Sequence, residues 1–137
     1  MNYDDNNIFA KILRNEIPCI KVFENETTLA FMDIMPQAQG HTLVIPKEPA
    51  ITIMDLSTSA AVDLIESVQV ISRAVKKAMN AEGITLFQLN GEAAGQTVPH
   101  IHFHVMPGSI LGAKHHASTM ADPVELESIA QKIRSAL

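Results

Sequence analysis

Apolar residues recur along this chain with two different periods. Between 57 and 79 they fall three and four apart, at Ala61, Leu64, Val68, Ile71, Val75 and Ala78. Asp63, Glu66, Arg73, Lys76 and Lys77 fill the opposite side. That spacing predicts one long amphipathic helix. Ser57-Thr58-Ser59 opens it, Gly83 is the expected stop, and the acids precede the bases, as the helix dipole favours.

Elsewhere the apolar runs are short. IKVFE (20–24), TLAFMDI (28–34), HTLVIPK (41–47), ITLFQLN (84–90) and IHFHVM (101–106) read as strands. ENET turns the first into the second, and Gly40 and Pro46 bound the third. A short helix is expected over IFAKILRN, 8–15, capped by Asn6 or Asn7. Asp122-Pro123-Val124-Glu125 joins an N-cap, a proline at the first helical position and an acid at the third, so a last helix should run to about Leu137. Residues 107–121 show no period. The sum is α+β, with a mainly antiparallel sheet, a long central helix and short flanking helices. With no repeat and no linker, 1–137 reads as a single domain.

Composition narrows the partners. The 137 residues are enough for one core, and the formal charge of −5 disfavours nucleic acid and anionic membrane surfaces. A small phosphate ligand held by local groups remains open. MNYDDNNIFAK has no apolar stretch of a signal peptide, and no apolar run approaches the roughly 20 residues of a membrane span. A cytoplasmic location is the resulting expectation. Cys19 is the one cysteine, so neither an internal disulfide nor a cysteine-based metal site is expected, and it reads as a small packed residue.

The candidate chemistry lies in PHIHFHVMP, 99–107, which holds half of the six histidines. Side chains alternate faces along a strand, so His100, His102 and His104 share one face and Ile101, Phe103 and Val105 the other. Three readings compete. A polar face in water would ordinarily mix Thr, Lys and Glu. A metal site would use a His-x-His pair, yet Cα atoms four positions apart lie roughly 13 Å apart in a strand, so a ligand elsewhere, such as His41, is required. Nucleophilic attack on phosphorus suits a neutral imidazole whose other nitrogen is held by a backbone carbonyl. The loop GEAAGQTV before the strand would add backbone N–H groups aimed at the same anion.

His100-Ile101-His102-Phe103-His104-Val105-Met106 fits the pattern His-φ-His-φ-His-φ-φ, with φ apolar, and resembles the signature of the histidine triad (HIT) family. IFAKILRNEIP, LAFMDIMPQAQGHTLVIPKE and NGEAAGQTV resemble family segments in family order. The chain is most similar to the short bacterial members and the Hint-type phosphoramidases. The resemblance implies a HIT-like fold and a nucleotidyl hydrolase or transferase. It would act at the α-phosphate of purine nucleoside phosphoramidates or related AMP conjugates and need no cofactor. It implies a covalent nucleotidyl group on His102, with His100 and His104 orienting it and contacting phosphate and His41 near the phosphates. Thr97 matches a serine beside the leaving group. Gly95 and Gln96 match a loop whose backbone approaches phosphate, and Asn90 matches a strand-end asparagine at the site. Asp33 matches the carboxylate that accepts from ribose hydroxyls; its other reading is a turn residue before Met35-Pro36. Ile8, Phe9, Ile12, Phe31 and Ile34 match apolar walls around the base, and ordinary core packing is their other reading.

A homodimer with sheets joined side by side is also implied. NNIFAKI lacks the Cys-x-x-Cys of relatives that hold a structural zinc, so no zinc is expected there. Gly108 follows Pro107 where many relatives carry arginine, which bears on polyphosphate substrates. His115 and His116 match nothing and read as a solvated pair. Alternatives are a dinucleoside polyphosphate hydrolase, a nucleotide-binding regulatory protein and a His-based metal protein.

Overall fold

The computed structural model describes residues 2–112 and 119–137; His115 and His116, expected as a solvated pair, lie outside them. In chain order the elements are α1 (Ile8–Leu13), β1 (Lys21–Glu24), β2 (Thr28–Met32), β3 (Thr42–Pro46), α2 (Thr58–Ala78), β4 (Ile84–Phe87), β5 (Phe103–Pro107) and α3 (Pro123–Ser135). One five-stranded sheet has the order β1-β2-β3-β5-β4, every neighbouring pair antiparallel. The expected α+β class with a long central helix is the one observed.

Helix starts follow the predicted chemistry. Asn7, Ser57 and Asp122 each accept a backbone N–H in the first turn of α1, α2 and α3. The expected stop at Gly83 does not hold. Helix α2 closes at Met79, and Asn80, with φ +50°, takes the left-handed position. Asn80 N–H donates to the Lys77 carbonyl and Ala81 N–H to that of Lys76, the paired bonds of a Schellman stop. Asn15 (φ +62°) ends α1 in the same way. Asparagine tolerates this conformation, so the reversal after α2 comes sooner than Gly83 suggests. No described helix is long and apolar enough to cross a membrane.

Alternation divides the sheet into two faces. Ala30, Met32, Val44 and Val105 meet Leu64, Val68 and Ile71 of α2, and α3 packs beside α2 and against β1. The Ser67 and Thr28 hydroxyls, 2.6 Å apart, fix α2 on β2 within this core. On the other face Leu29, Phe31, Leu43 and Ile45 form a smaller core with Phe9 and Ile12 of α1. Strand register carries this second face into the site: Phe31 pairs with Leu43, Leu43 with His104, and His104 with Phe87.

β5 begins at Phe103, two residues later than expected. Its ladder with β3 ends at the pair Val44–Phe103. Beyond it Pro46 has no N–H to offer and its carbonyl is taken by the His100 ring, while Ile101 N–H turns to the Ala50 carbonyl. The faces survive this departure: Ile101 and Val105 are fully buried in the main core.

Gly40, φ +92°, precedes His41 and lies against Met79, the residue that caps α2. A Cβ there would stand 2.8 Å from Met79 Cγ, so only glycine fits the approach.

Candidate active site

The proton positions of four imidazoles follow from their neighbours. His102 Nδ1 lies 2.8 Å from the His100 carbonyl, which only accepts, so the proton is on Nδ1 and Nε2 keeps a bare lone pair. His100 Nε2 lies 2.8 Å from the Pro46 carbonyl and is therefore the protonated nitrogen. Its Nδ1 accepts from the Tyr3 hydroxyl at 2.6 Å. Gln37 N–H donates to His41 Nδ1 at 3.1 Å, which puts the His41 proton on Nε2. That N–H points to His104 Nδ1 at 2.8 Å, so His104 carries its own proton on Nε2. Among the described residues the result is one bare nucleophilic nitrogen, on His102, beside one N–H donor without an acceptor, on His104.

Burial keeps these rings neutral. It pushes His41 and His100 down to about 4 and His104 to about 3, and any charge on His102 adds to the shift. For His100 the Pro46 carbonyl partly opposes the shift. His102 is lowered by burial too, with the His100 carbonyl opposing. Phe87 stacks on His104 at 4.1 Å and 10°, and Phe9 stands edge-on to His102 at 4.9 Å.

Asp33 fulfils its turn reading, since Oδ1 accepts Met35 N–H at 2.9 Å. Oδ2 lies 3.5 Å from His41 Nε2, and because His41 is neutral this contact is not an ion pair at pH 7. Burial raises the Asp33 carboxyl to about 6, with the Met35 N–H opposing. A carboxylate held this poorly solvated is open to better donors.

The loop before β5 departs from expectation in one respect. Gly95 N–H already donates to the Glu92 carbonyl and Gln96 N–H to that of Gly91, so neither is open to phosphate. Gln96 is buried, and its side chain binds Gly91 N–H and the Ile51 and Val98 carbonyls, which knits the loop. The amides of Thr97 and Val98 have no partner among the described residues. Thr97 lines a cleft of about 690 Å³ with Gly95, Gln96 and Asp4 of the N-terminal segment. Asn90 accepts Ile53 N–H at 2.8 Å and is bonded both ways to Gln88, so it braces the neighbouring loop.

The base-wall residues divide. Phe9, Ile12 and Phe31 are buried together in the smaller core, whereas Ile8 and Ile34 are about half exposed. Sequence reasoning missed Tyr3, Gln37 and Phe87. Tyr3 lies 97 positions from its partner, and no local pattern connects the two. Phe87 has a signal in retrospect, as an aromatic in the strand beside the triad.

Fold and site together define an enzyme of the histidine triad type. The HIT domain family matches residues 14–110, and the chain belongs to this family. It is 43% identical over 100 residues to adenosine 5′-monophosphoramidase hnt1 of Schizosaccharomyces pombe, covering 73% of this chain and 72% of that protein. Among solved structures it is similar to a Hit-like protein involved in cell-cycle regulation from Bartonella henselae, crystallised with an unknown ligand. That likeness has a TM-score of 0.93 and 48% identity, with both chains fully covered. A Zn-bound histidine triad family protein from Mycobacterium smegmatis is also similar (TM-score 0.81, 32% identity, 96% of this chain and 92% of that one).

The residues here do not fit a zinc ion. Around α1, Asn7 is used up in capping and both nitrogens of His100 are taken. Asp33, His41 and His104 bring ligand atoms within 4.8 Å of one another. A metal there would need His41 Nε2, where the Gln37 N–H fixes the proton; moving that proton to Nδ1 would set two N–H groups face to face.

Proposed function

We propose that this chain is a hydrolase of purine nucleoside phosphoramidates and related AMP conjugates, acting through a nucleotidyl group on His102. The bare Nε2 of His102, with Nδ1–H held at 2.8 Å by the His100 carbonyl, carries this reading. The lone pair attacks the α-phosphorus, and the bond from phosphorus to the leaving nitrogen breaks. The amine departs with a proton delivered from water past the Thr97 hydroxyl. The ring is then cationic, and the His100 carbonyl stabilises its Nδ1–H. Water next attacks phosphorus, the P–Nε2 bond breaks, one proton passes to solvent, and a nucleoside monophosphate leaves.

His104 Nε2–H and the amides of Thr97 and Val98 would hold the phosphate oxygens, a preorganised set of donors. Asp33 would accept from the ribose hydroxyls. Ile8 and Ile34 would form the rim of an apolar slot with Phe9, Ile12 and Phe31 as its floor. His41 would act through His104. The name of the S. pombe relative supports the substrate class.

The reading is tested with adenosine 5′-phosphoramidate, which should yield AMP. His102→Ala should lower kcat/KM by about a thousandfold or more. A rapid alkaline quench followed by mass spectrometry should find the nucleotidyl group on the peptide bearing His102. Full activity in His102→Ala would sink the mechanism.

The same reading includes a homodimer joined through β4. Among the described residues that strand ends the sheet with one edge unpaired, and Leu86 on it is about half exposed. Light scattering should give twice the chain mass, and Leu86→Lys should shift it toward the monomer; a wild-type monomer contradicts the pairing.

A further inference from the structure

We propose that Tyr3 is a positioning residue for this reaction, its hydroxyl locking His100 and thereby the carbonyl that orients the nucleophile. The inference rests on His102 being that nucleophile.

The His100 ring is wholly enclosed. With its proton committed to the Pro46 carbonyl, Nδ1 is a lone pair shut away from water. Such an atom needs a donor. Tyr3 Oη supplies one at 2.6 Å, and the phenol ring meets the imidazole edge-on with centroids 5.6 Å apart. The phenol is a donor there because a neutral imidazole nitrogen that has given its proton elsewhere can only accept. Burial raises the Tyr3 hydroxyl above its ordinary value, with the Asn7 side chain opposing, and the net rise keeps that proton in place.

His100 thus has its ring fixed at both nitrogens by segments 54 and 97 positions away. The carbonyl of the same residue accepts His102 Nδ1–H. A ring held at both ends leaves the peptide little room to turn, so the acceptor stays where the His102 tautomer requires it.

Tyr3 is itself delivered by a fastened arm. Asn7 Nδ2 donates to the Asp4 carbonyl at 2.8 Å, and Arg14 Nη1 donates to that of Asp5 at 2.8 Å. Both anchors belong to the ends of α1, the helix whose Phe9 stands against His102 and also meets His100 edge-on. Arm, helix and two histidines therefore form one block.

Tyr3→Phe keeps the ring and removes the donor. It should lower kcat roughly tenfold with KM changed less than about twofold, since the loss falls on orientation and not on nucleotide contact. Nitrogen-15 NMR of the imidazoles at pH 7 reads the cause directly. In the wild type, His100 should carry its proton on Nε2 and His102 on Nδ1. In Tyr3→Phe the His100 Nδ1 signal should move toward that of a free acceptor, and His102 should populate its second tautomer. Replacing Tyr3 by p-aminophenylalanine, which restores an N–H donor at the same place, should recover most of the lost rate. Thermal melts of each variant show that the comparison is between folded proteins.

Wild-type kcat with unchanged nitrogen signals in Tyr3→Phe would overturn the proposal. So would a p-aminophenylalanine variant no better than Tyr3→Phe. The spectra need no substrate: a wild type that cleaves no phosphoramidate would count against the functional reading, while the spectra still decide the role of Tyr3.

Discussion

The two faces of the sheet are buried alike and held differently. Val44 and Leu43 are neighbours on β3, and Val105 and His104 are neighbours on β5. One of each pair looks toward α2, where apolar side chains meet apolar side chains. The other looks toward the site, where Leu43 sits beside His104 and Phe87 stacks upon it. On the α2 face stability comes from area and fit, which tolerate exchange among shapes of similar volume. On the site face each enclosed nitrogen must find one particular partner, and an atom left without one costs more than a lost contact. A single alternation along β3 and β5 serves both ends.

If the faces are as separate as this, damage to one should leave the other's property intact. Ile71→Ala removes a fully buried side chain of α2 and should cost about 2–5 kcal/mol in urea unfolding. The kcat of the protein that remains folded should stay within about twofold of the wild type. A large fall in kcat at full folding would show that the α2 face also sets the site.

The site face has its own signature in acid. His41 and His100 near 4 and His104 near 3 lie below the ordinary value of about 6.5 that the unfolded chain restores. Between those values the unfolded chain binds more protons, so this stability is complete above about pH 6.5 and is lost as pH falls toward 4. Asp33, raised to about 6, acts in the opposite sense: its contribution is present below its unfolded value near 3.8 and is lost as pH rises through 6. Three imidazoles less one carboxyl give a net uptake of about two protons at pH 5, roughly 3 kcal/mol per pH unit, and His102, also lowered by burial, adds in the same sense. Unfolding free energies measured between pH 5 and 6 should show that slope, and a flat profile would refute the neutral imidazoles. Asp33→Asn removes the opposing group and should steepen the slope by a smaller amount, about one proton or 1.4 kcal/mol per pH unit. An unchanged slope in this variant would mean that Asp33 is not buried as drawn.

Much of this was legible in the chain, and the gaps have physical causes. Periodicity found α2, the five strands and the shared face of the triad because alternation and helical spacing are local properties. The stop of α2 was misplaced because asparagine and glycine both take the left-handed position, and Asn80 comes first. The turn hydrogen bonds of Gly95 and Gln96 depend on a 3₁₀ turn at Glu92–Ala94, so the open amides fall one to two residues later than the motif suggests. Ile8 and Ile34 were grouped with Phe9, Ile12 and Phe31 by type, and only packing separates rim from floor. The partners of His102 and His41 are local main-chain groups, two and four positions away, but those of His100 and His104 are long-range. Pro46 and Tyr3 are joined to His100 by the closed fold alone.

The proton pattern of the site also bears on how far the sequence could drift. The His102 proton is set by the carbonyl of residue 100, the His100 proton by that of residue 46, and the His41 proton by the amide of residue 37. All three are main-chain atoms, present whatever side chain the position bears. Substitution at 37 or 46 changes shape and flexibility but leaves the acceptor or donor standing, apart from a proline at 37, which would delete the amide. Two holds are side chains, each replaceable in one step: His41, whose Nε2–H sets the His104 proton, and Tyr3, which donates to His100 Nδ1. Descendants of this chain would therefore lose first the side-chain holds on His100 and His104, and last the main-chain acceptor that His102 requires.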